Sequence, residues 1–184
     1  MITKAYADFA WQQAEQLLSI DSPTGYTDYA ALWLKSSFEM LGFPASITTK
    51  GGILVDLGGE DENDGLLLAA HTDTLGGMVA EVKGNGRLRL TSLGGMNANN
   101  AETENVRVYT RGGKVLEGTF QLCNASIHVN GDYNSAKRSF GTMEVVLDED
   151  VSSAADTGKL GIEVGDMVCF EPRTRRTQSG YLKS

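Results

Sequence analysis

Cysteine is scarce in this chain: 184 residues hold two, Cys123 and Cys169, with no Cys-x-x-Cys pair. That excludes a zinc ribbon and a thiol redox motif, and both thiols read as buried and free, as in a reducing compartment. No apolar run approaches membrane-spanning length, and Met1 leads into a polar, amphipathic stretch rather than a signal core. The expectation is a soluble, cytoplasmic protein with no membrane partner. Positive charge is also short, with 16 Lys and Arg against 24 Asp and Glu for a net charge of −8. A nucleic-acid partner is therefore not expected. The one basic cluster, Arg173 to Arg176, is brief and isolated and reads as a solvated connection. Missing as well are a His-Glu-x-x-His helix, a serine nucleophile elbow, a phosphate-binding glycine loop and any internal repeat. Histidine occurs only as His71 and His128.

What is present suits a globular chain of one large domain or one and a half smaller ones, with 41% hydrophobic and 22% charged residues. Apolar residues at Tyr6, Ala10, Ala14 and Leu17, widened by Trp11 and Leu18, predict a helix over about 4–19. Turn chemistry at Asp21–Gly25 ends it. A second helix is expected after Thr27 as N-cap, with Asp28 at its positive end, Ala30, Leu34, Phe38 and Leu41 as buried stripe, and Gly42 past its C-terminus. Ala45–Thr49 and Ile53–Leu57 read as a hairpin or as neighbouring strands across Lys50-Gly51-Gly52. The loop Gly58–Gly65 carries four acidic residues with no EF-hand spacing and reads as solvated surface.

The segment that organises the rest is Leu66-Leu67-Leu68-Ala69-Ala70-His71-Thr72-Asp73-Thr74-Leu75-Gly76. Five apolar residues bounded by turn signals predict a strand buried on both faces, and ligands in open α/β sheets gather beyond the carboxyl ends of such strands. His71 stands at that end. Its imidazole suits a borderline metal such as zinc, and Asp73 is placed to hold the other ring nitrogen. The plainer alternative is a histidine closing a core strand, with Asp73 starting a turn.

After Gly76 the period changes. Met78–Val82 and Arg87–Leu93 flank Lys83-Gly84-Asn85-Gly86, and Val106–Thr110 and Lys114–Glu117 flank Arg111-Gly112-Gly113. Thr142–Leu147 and Asp166–Phe170 add strands, with a short helix over about 153–157 ended by Gly158. Short strands joined by glycine turns predict a small antiparallel barrel over about 77–175. His128 falls in an apolar, strand-like stretch and reads as hydrogen-bonded scaffold more readily than as a substrate contact. Asp148, Glu149 and Asp150 read as a solvent-facing turn.

Ala70–Val79 resembles the first metal-ligand motif of the glutamyl/leucyl aminopeptidases, dinuclear metallopeptidases of the tetrahedral-aminopeptidase type. Ser22-Pro23-Thr24-Gly25-Tyr26 resembles the loop after that family's first helix. Leu93-Gly94-Gly95 and Gly161–Asp166 resemble landmarks of its inserted barrel. The resemblance implies an α/β fold: residues 1–76 as the N-terminal part of the metallopeptidase domain, 77–175 as an inserted PDZ-like β-barrel for oligomer contacts or substrate access, and 176–184 as the return. It implies a metal-dependent aminopeptidase acting on peptides, assembled as a homo-oligomer and using two divalent ions (zinc, cobalt or manganese), with His71 as metal ligand and Asp73 as the catalytic residue orienting it. The family's other ligands follow a stretch similar to Ser179–Ser184, so the chain alone is expected to bind at most one metal weakly and to be inactive. Two alternatives stand: a non-catalytic oligomerisation or binding module, and a related zinc carboxypeptidase or deacylase.

Overall fold

The computed structural model describes residues 3–61 and 63–184, which divide into two compact units, one of residues up to Asp73 together with Pro172–Ser184, the other Thr74–Glu171. The expectations placed on Met1 and Glu62 lie outside the described residues.

In the first unit, α1 spans Lys4–Leu18 and α2 spans Asp28–Met40. A Lys4–Asp8 pair one turn apart supports α1. Thr27 stands at the N-cap of α2, but its side chain makes no capping bond. The C-terminus of α2 closes as a Schellman turn, with the Gly42 amide on the Glu39 carbonyl and the Phe43 amide on that of Phe38. Ala30 and Ala31 are its buried positions, whereas Leu41, expected in the stripe, is 54% exposed. In α1 no residue is fully buried, and Tyr6 faces solvent. Strands β1 (Ala45–Ile47) and β2 (Ile53–Val55) form the expected hairpin, with Ser46 opposite Leu54. Beyond it comes the largest departure from expectation. Residues 66–70 form no strand; Leu66, Leu67 and Leu68 are 86%, 79% and 76% exposed. A parallel strand needs neighbours on both edges and cover on both faces, and the described residues of this unit supply neither.

The returning residues 172–184 carry the two-residue strands β9 (Arg175–Arg176) and β10 (Leu182–Lys183), paired antiparallel. Arg173 to Arg176 is more than a solvated connection. The Arg176 guanidinium lies 4.7 Å over the Trp11 ring, and Thr174 Oγ1 donates to the Leu18 carbonyl at 3.2 Å, fastening this segment to α1.

The second unit is a closed antiparallel barrel. Its strands are β3 (Gly76–Val82), β4 (Leu88–Leu93), β5 (Glu104–Tyr109), β6 (Val115–Leu122), β7 (Met143–Leu147) and β8 (Met167–Phe170), in the order β3-β4-β7-β6-β5-β8. Alternate residues point inward, so Val79, Leu88, Leu90, Val106, Val108, Phe120, Met143, Val145 and Val168 fill it. Each such side chain contributes roughly 1.5–3 kcal/mol on leaving water. Phe120 meets Phe170 edge-on at 5.7 Å. Closure removes the unpaired strand edges that an open sheet would present. The helix α3 (Ala154–Leu160) runs through Gly158 rather than ending there, and Gly161 terminates it at φ 94°, in the left-handed region that glycine adopts without strain. From that turn the Gly165 amide and the Asp166 carbonyl bond the two backbone groups of Val79, seating β8 against β3.

Two side chains in this unit sit otherwise than the sequence predicts. His128 is exposed on a run of turns between β6 and β7, not in a strand, and Cys123 is exposed while Cys169 is buried in β8. Pairing of β6 ends at Leu122, and a single bond from the Cys123 amide to the Thr142 carbonyl starts the excursion, so the apolar letters Ile127 and Val129 face water.

Candidate functional site

The site assembles within the first unit from two segments 49 residues apart. One is the loop between α1 and α2. Asp21, Ser22 and Pro23 are buried there, and the Tyr26 amide bonds the Pro23 carbonyl at 2.7 Å, closing a turn that presents Thr24 outward. The other is the extended segment ending in His71-Thr72-Asp73. Together they line a wide, open cleft whose wall includes Asp28, Ile53, Leu66, His71 and Asp73.

Asp73 is the hub. Its Oδ2 accepts from the Thr24 hydroxyl at 2.6 Å, and its Oδ1 lies 3.1 Å from His71 Nδ1. The Thr24 hydroxyl holds the Asp73 carboxyl below its ordinary range, against the opposing effect of desolvation, with His71 adding to the stabilisation. His71 Nδ1 also lies 3.0 Å from the main-chain oxygen of Asp73. A carbonyl oxygen only accepts, so Nδ1 carries the proton in this arrangement, and in the neutral ring the lone pair is on Nε2. The imidazole is 85% exposed, leaving Nε2 open to a ligand.

Imidazole nitrogen backed by a carboxylate on its far side is a common arrangement of metal-bound histidine. His71 and Asp73, proposed from their sequence spacing, are thus brought into contact, with Asp73 on Nδ1. His128 and the Asp148–Asp150 turn belong to the other unit, and all four residues are exposed. At the start of the acidic loop the Gly58 amide donates to Asp56, and within it the Asn63 amide donates to Asp61, local turns that leave Glu60, Asp61 and Asp64 in solvent. Among the described residues no three His, Cys, Asp or Glu side chains group into a metal-binding set. The donor chemistry fits one ligand and its orienting carboxylate, not a closed site. Thr24 is the residue that spacing along the sequence does not single out; its place in the Ser22–Tyr26 loop was the only available signal.

Residues 51–184 match the M42 glutamyl aminopeptidase family. The chain is similar to a putative aminopeptidase, YhfE, of Bacillus subtilis (strain 168), with 40% identity over 170 residues covering 92% of this chain and 49% of that protein. In structure it is similar to the TET aminopeptidase of the marine sediment archaeon Thaumarchaeota archaeon SCGC AB-539-E09, at TM-score 0.81 and 21% identity over 95% of this chain and 47% of that one. It is also similar to the Pyrococcus horikoshii TET1 peptidase, described as assembling into a tetrahedron or a large octahedral shell, at TM-score 0.76 and 18% identity over 94% of this chain and 50% of that one. The chain spans about half the length of the curated relatives it matches. It belongs to the M42 glutamyl aminopeptidase family.

Proposed function

We propose that this chain, as a member of the M42 glutamyl aminopeptidase family, supplies the first metal ligand of a peptidase that removes N-terminal residues from peptides by two-metal hydrolysis. The observation that carries the reading is the Asp73–His71 contact, with Nδ1 engaged and Nε2 free. His71 is the ligand through Nε2. Asp73 fixes the ring's tautomer and plane and raises its basicity as a donor. A divalent metal pair supplies polarisation of the scissile carbonyl and activation of water. The described residues provide one ligand of such a set, so the chain alone is proposed to bind a single ion weakly and not to hydrolyse peptides. The barrel is proposed as an inserted domain serving assembly or substrate access, with homo-oligomers of this chain as the expected form.

A second reading takes the barrel as a binding or assembly module with no catalytic part. It is favoured by one observation: the barrel is closed and its core lies wholly within Thr74–Glu171. Zinc titration monitored at the imidazole nitrogens separates the two. A zinc-dependent shift of the His71 Nε2 resonance that Asp73→Ala weakens supports the peptidase reading. No response at His71 in an intact chain favours the module.

A further inference from the structure

We propose that Thr24 is a positioning residue for the His71–Asp73 pair: its hydroxyl fixes the rotation of the Asp73 carboxylate so that Oδ1 stays on His71 Nδ1. The inference rests on the reading of His71 as a ligand oriented by Asp73.

An aspartate's terminal torsion is broad and roughly two-fold, so the carboxylate plane is not set by the backbone. Asp73 itself lies on an irregular segment, with an isolated backbone bridge at the next residue, Thr74. Something else must hold the plane, and one oxygen is occupied by Thr24 at 2.6 Å while the other meets the imidazole at 3.1 Å. A hydroxyl-to-carboxylate bond of this length is charge-assisted and directional. Its donor is well placed for the task. Thr24 is β-branched, with few χ1 positions open to it, and it extends from a loop whose Asp21, Ser22 and Pro23 are buried. The Asp73 side chain is 38% exposed and Thr24 is exposed too, so either group would be hydrated if the bond were absent. A bond between such groups adds little to folding. Its consequence is orientation, passed from the α1–α2 loop through Asp73 to the ring.

The test uses the 15N-labelled 184-residue chain and its Thr24→Val, Thr24→Ser and Asp73→Ala variants. Long-range proton–nitrogen spectra, recorded where both imidazoles are neutral, read the ratio of Nδ1–H to Nε2–H tautomers at His71, with exposed His128 as reference. Thr24→Val is expected to lower the ratio at His71 about fivefold, the effect of losing one ordinary hydrogen bond. It is expected to weaken zinc binding, read by competition with a chromophoric chelator, about tenfold. Thr24→Ser, which keeps the hydroxyl, should restore both. A ratio unchanged in Thr24→Val but lowered in Asp73→Ala overturns the role of Thr24 and leaves Asp73 as the orienter. A ratio unchanged in both overturns the orienting role of the carboxylate as well. Loss of the Tyr26 amide's hydrogen-bonded shift in Thr24→Val also overturns the proposal, since the hydroxyl would then be holding the loop.

Discussion

Glu144, 1% exposed on β7, is bound by Lys83 across the barrel wall, and Arg87 takes its other oxygen. Burial on its own would raise the Glu144 carboxyl, but the bonds to Lys83 and Arg87 outweigh it and hold the group below its ordinary value, while Lys83 is raised by the same contact. For a carboxyl whose folded value is depressed, the stability is present above the unfolded value and is lost as pH falls through the folded one. Barrel stability is therefore expected to decline on acidification below about pH 4.5, the ordinary glutamate value. Glu144→Gln should remove much of that acid dependence. Lys83→Met leaves the buried charge with Arg87 alone and should cost about 1–3 kcal/mol at neutral pH. Urea unfolding of the barrel at pH 3, 5 and 7 checks both.

Gly118 faces a closer limit. A β-carbon there would stand 2.5 Å from the Val146 carbonyl oxygen on the paired strand, and backbone cannot yield as a side chain does. Gly118→Ala is expected to destabilise the barrel by roughly 1–3 kcal/mol, the usual cost of overpacking. Gly131→Ala, with nothing within 4 Å of the added carbon, serves as the control in the same urea series. Equal midpoints for the two would show that β6 and β7 part more easily than their register implies.

These two sites also mark what the residues disclose on their own. The hairpins around Lys83–Gly86 and Arg111–Gly113 were legible because a glycine turn and its flanking alternation are local, and the barrel followed from their number. The contact between His71 and Asp73 was legible because they are two residues apart. The state of Leu66–Ala70 was not, since burial of a parallel strand depends on neighbours that no local pattern specifies. Cys123, Ile127 and His128 look like strand, yet β6 stops at Leu122, and only its pairing with β7 sets that end. The bond between Thr24 and Asp73 spans 49 residues and exists only once the chain folds.

The exposed leucines predict behaviour in solution. Leu66, Leu67 and Leu68 form a contiguous exposed apolar run that lines the cleft, of the kind that drives association. The 184-residue chain is expected to self-associate at micromolar concentration, and replacing Leu66 and Leu67 by Gln should shift sedimentation toward monomer. Because both side chains are already in water, the substitutions should change unfolding stability by less than about 0.5 kcal/mol. Unaltered association in the double variant would place the contact surface elsewhere.

Catalysis sets the last expectation. A catalytic zinc site normally takes at least three protein ligands and keeps one position open. The described residues offer one proposed ligand, His71, with Asp73 engaged behind it by Thr24 and the imidazole and thus not free to bridge two ions. The exposed carboxylates Asp56, Asp61 and Asp64 also line the cleft, but none of them groups with His71 into a set. The purified 184-residue chain, incubated with excess zinc, cobalt or manganese and unblocked aminoacyl-anilides, is therefore expected to release no anilide above the metal-only rate. Under the proposed function, a chain extended to the length of its relatives should release it, and His71→Ala should abolish that release while the circular-dichroism spectrum is unchanged. Saturable release by the 184-residue chain, lost in His71→Ala, would mean that a second copy completes the ligand set. The dependence of rate on protein concentration would then be steeper than first order, which distinguishes that outcome from a contaminating peptidase.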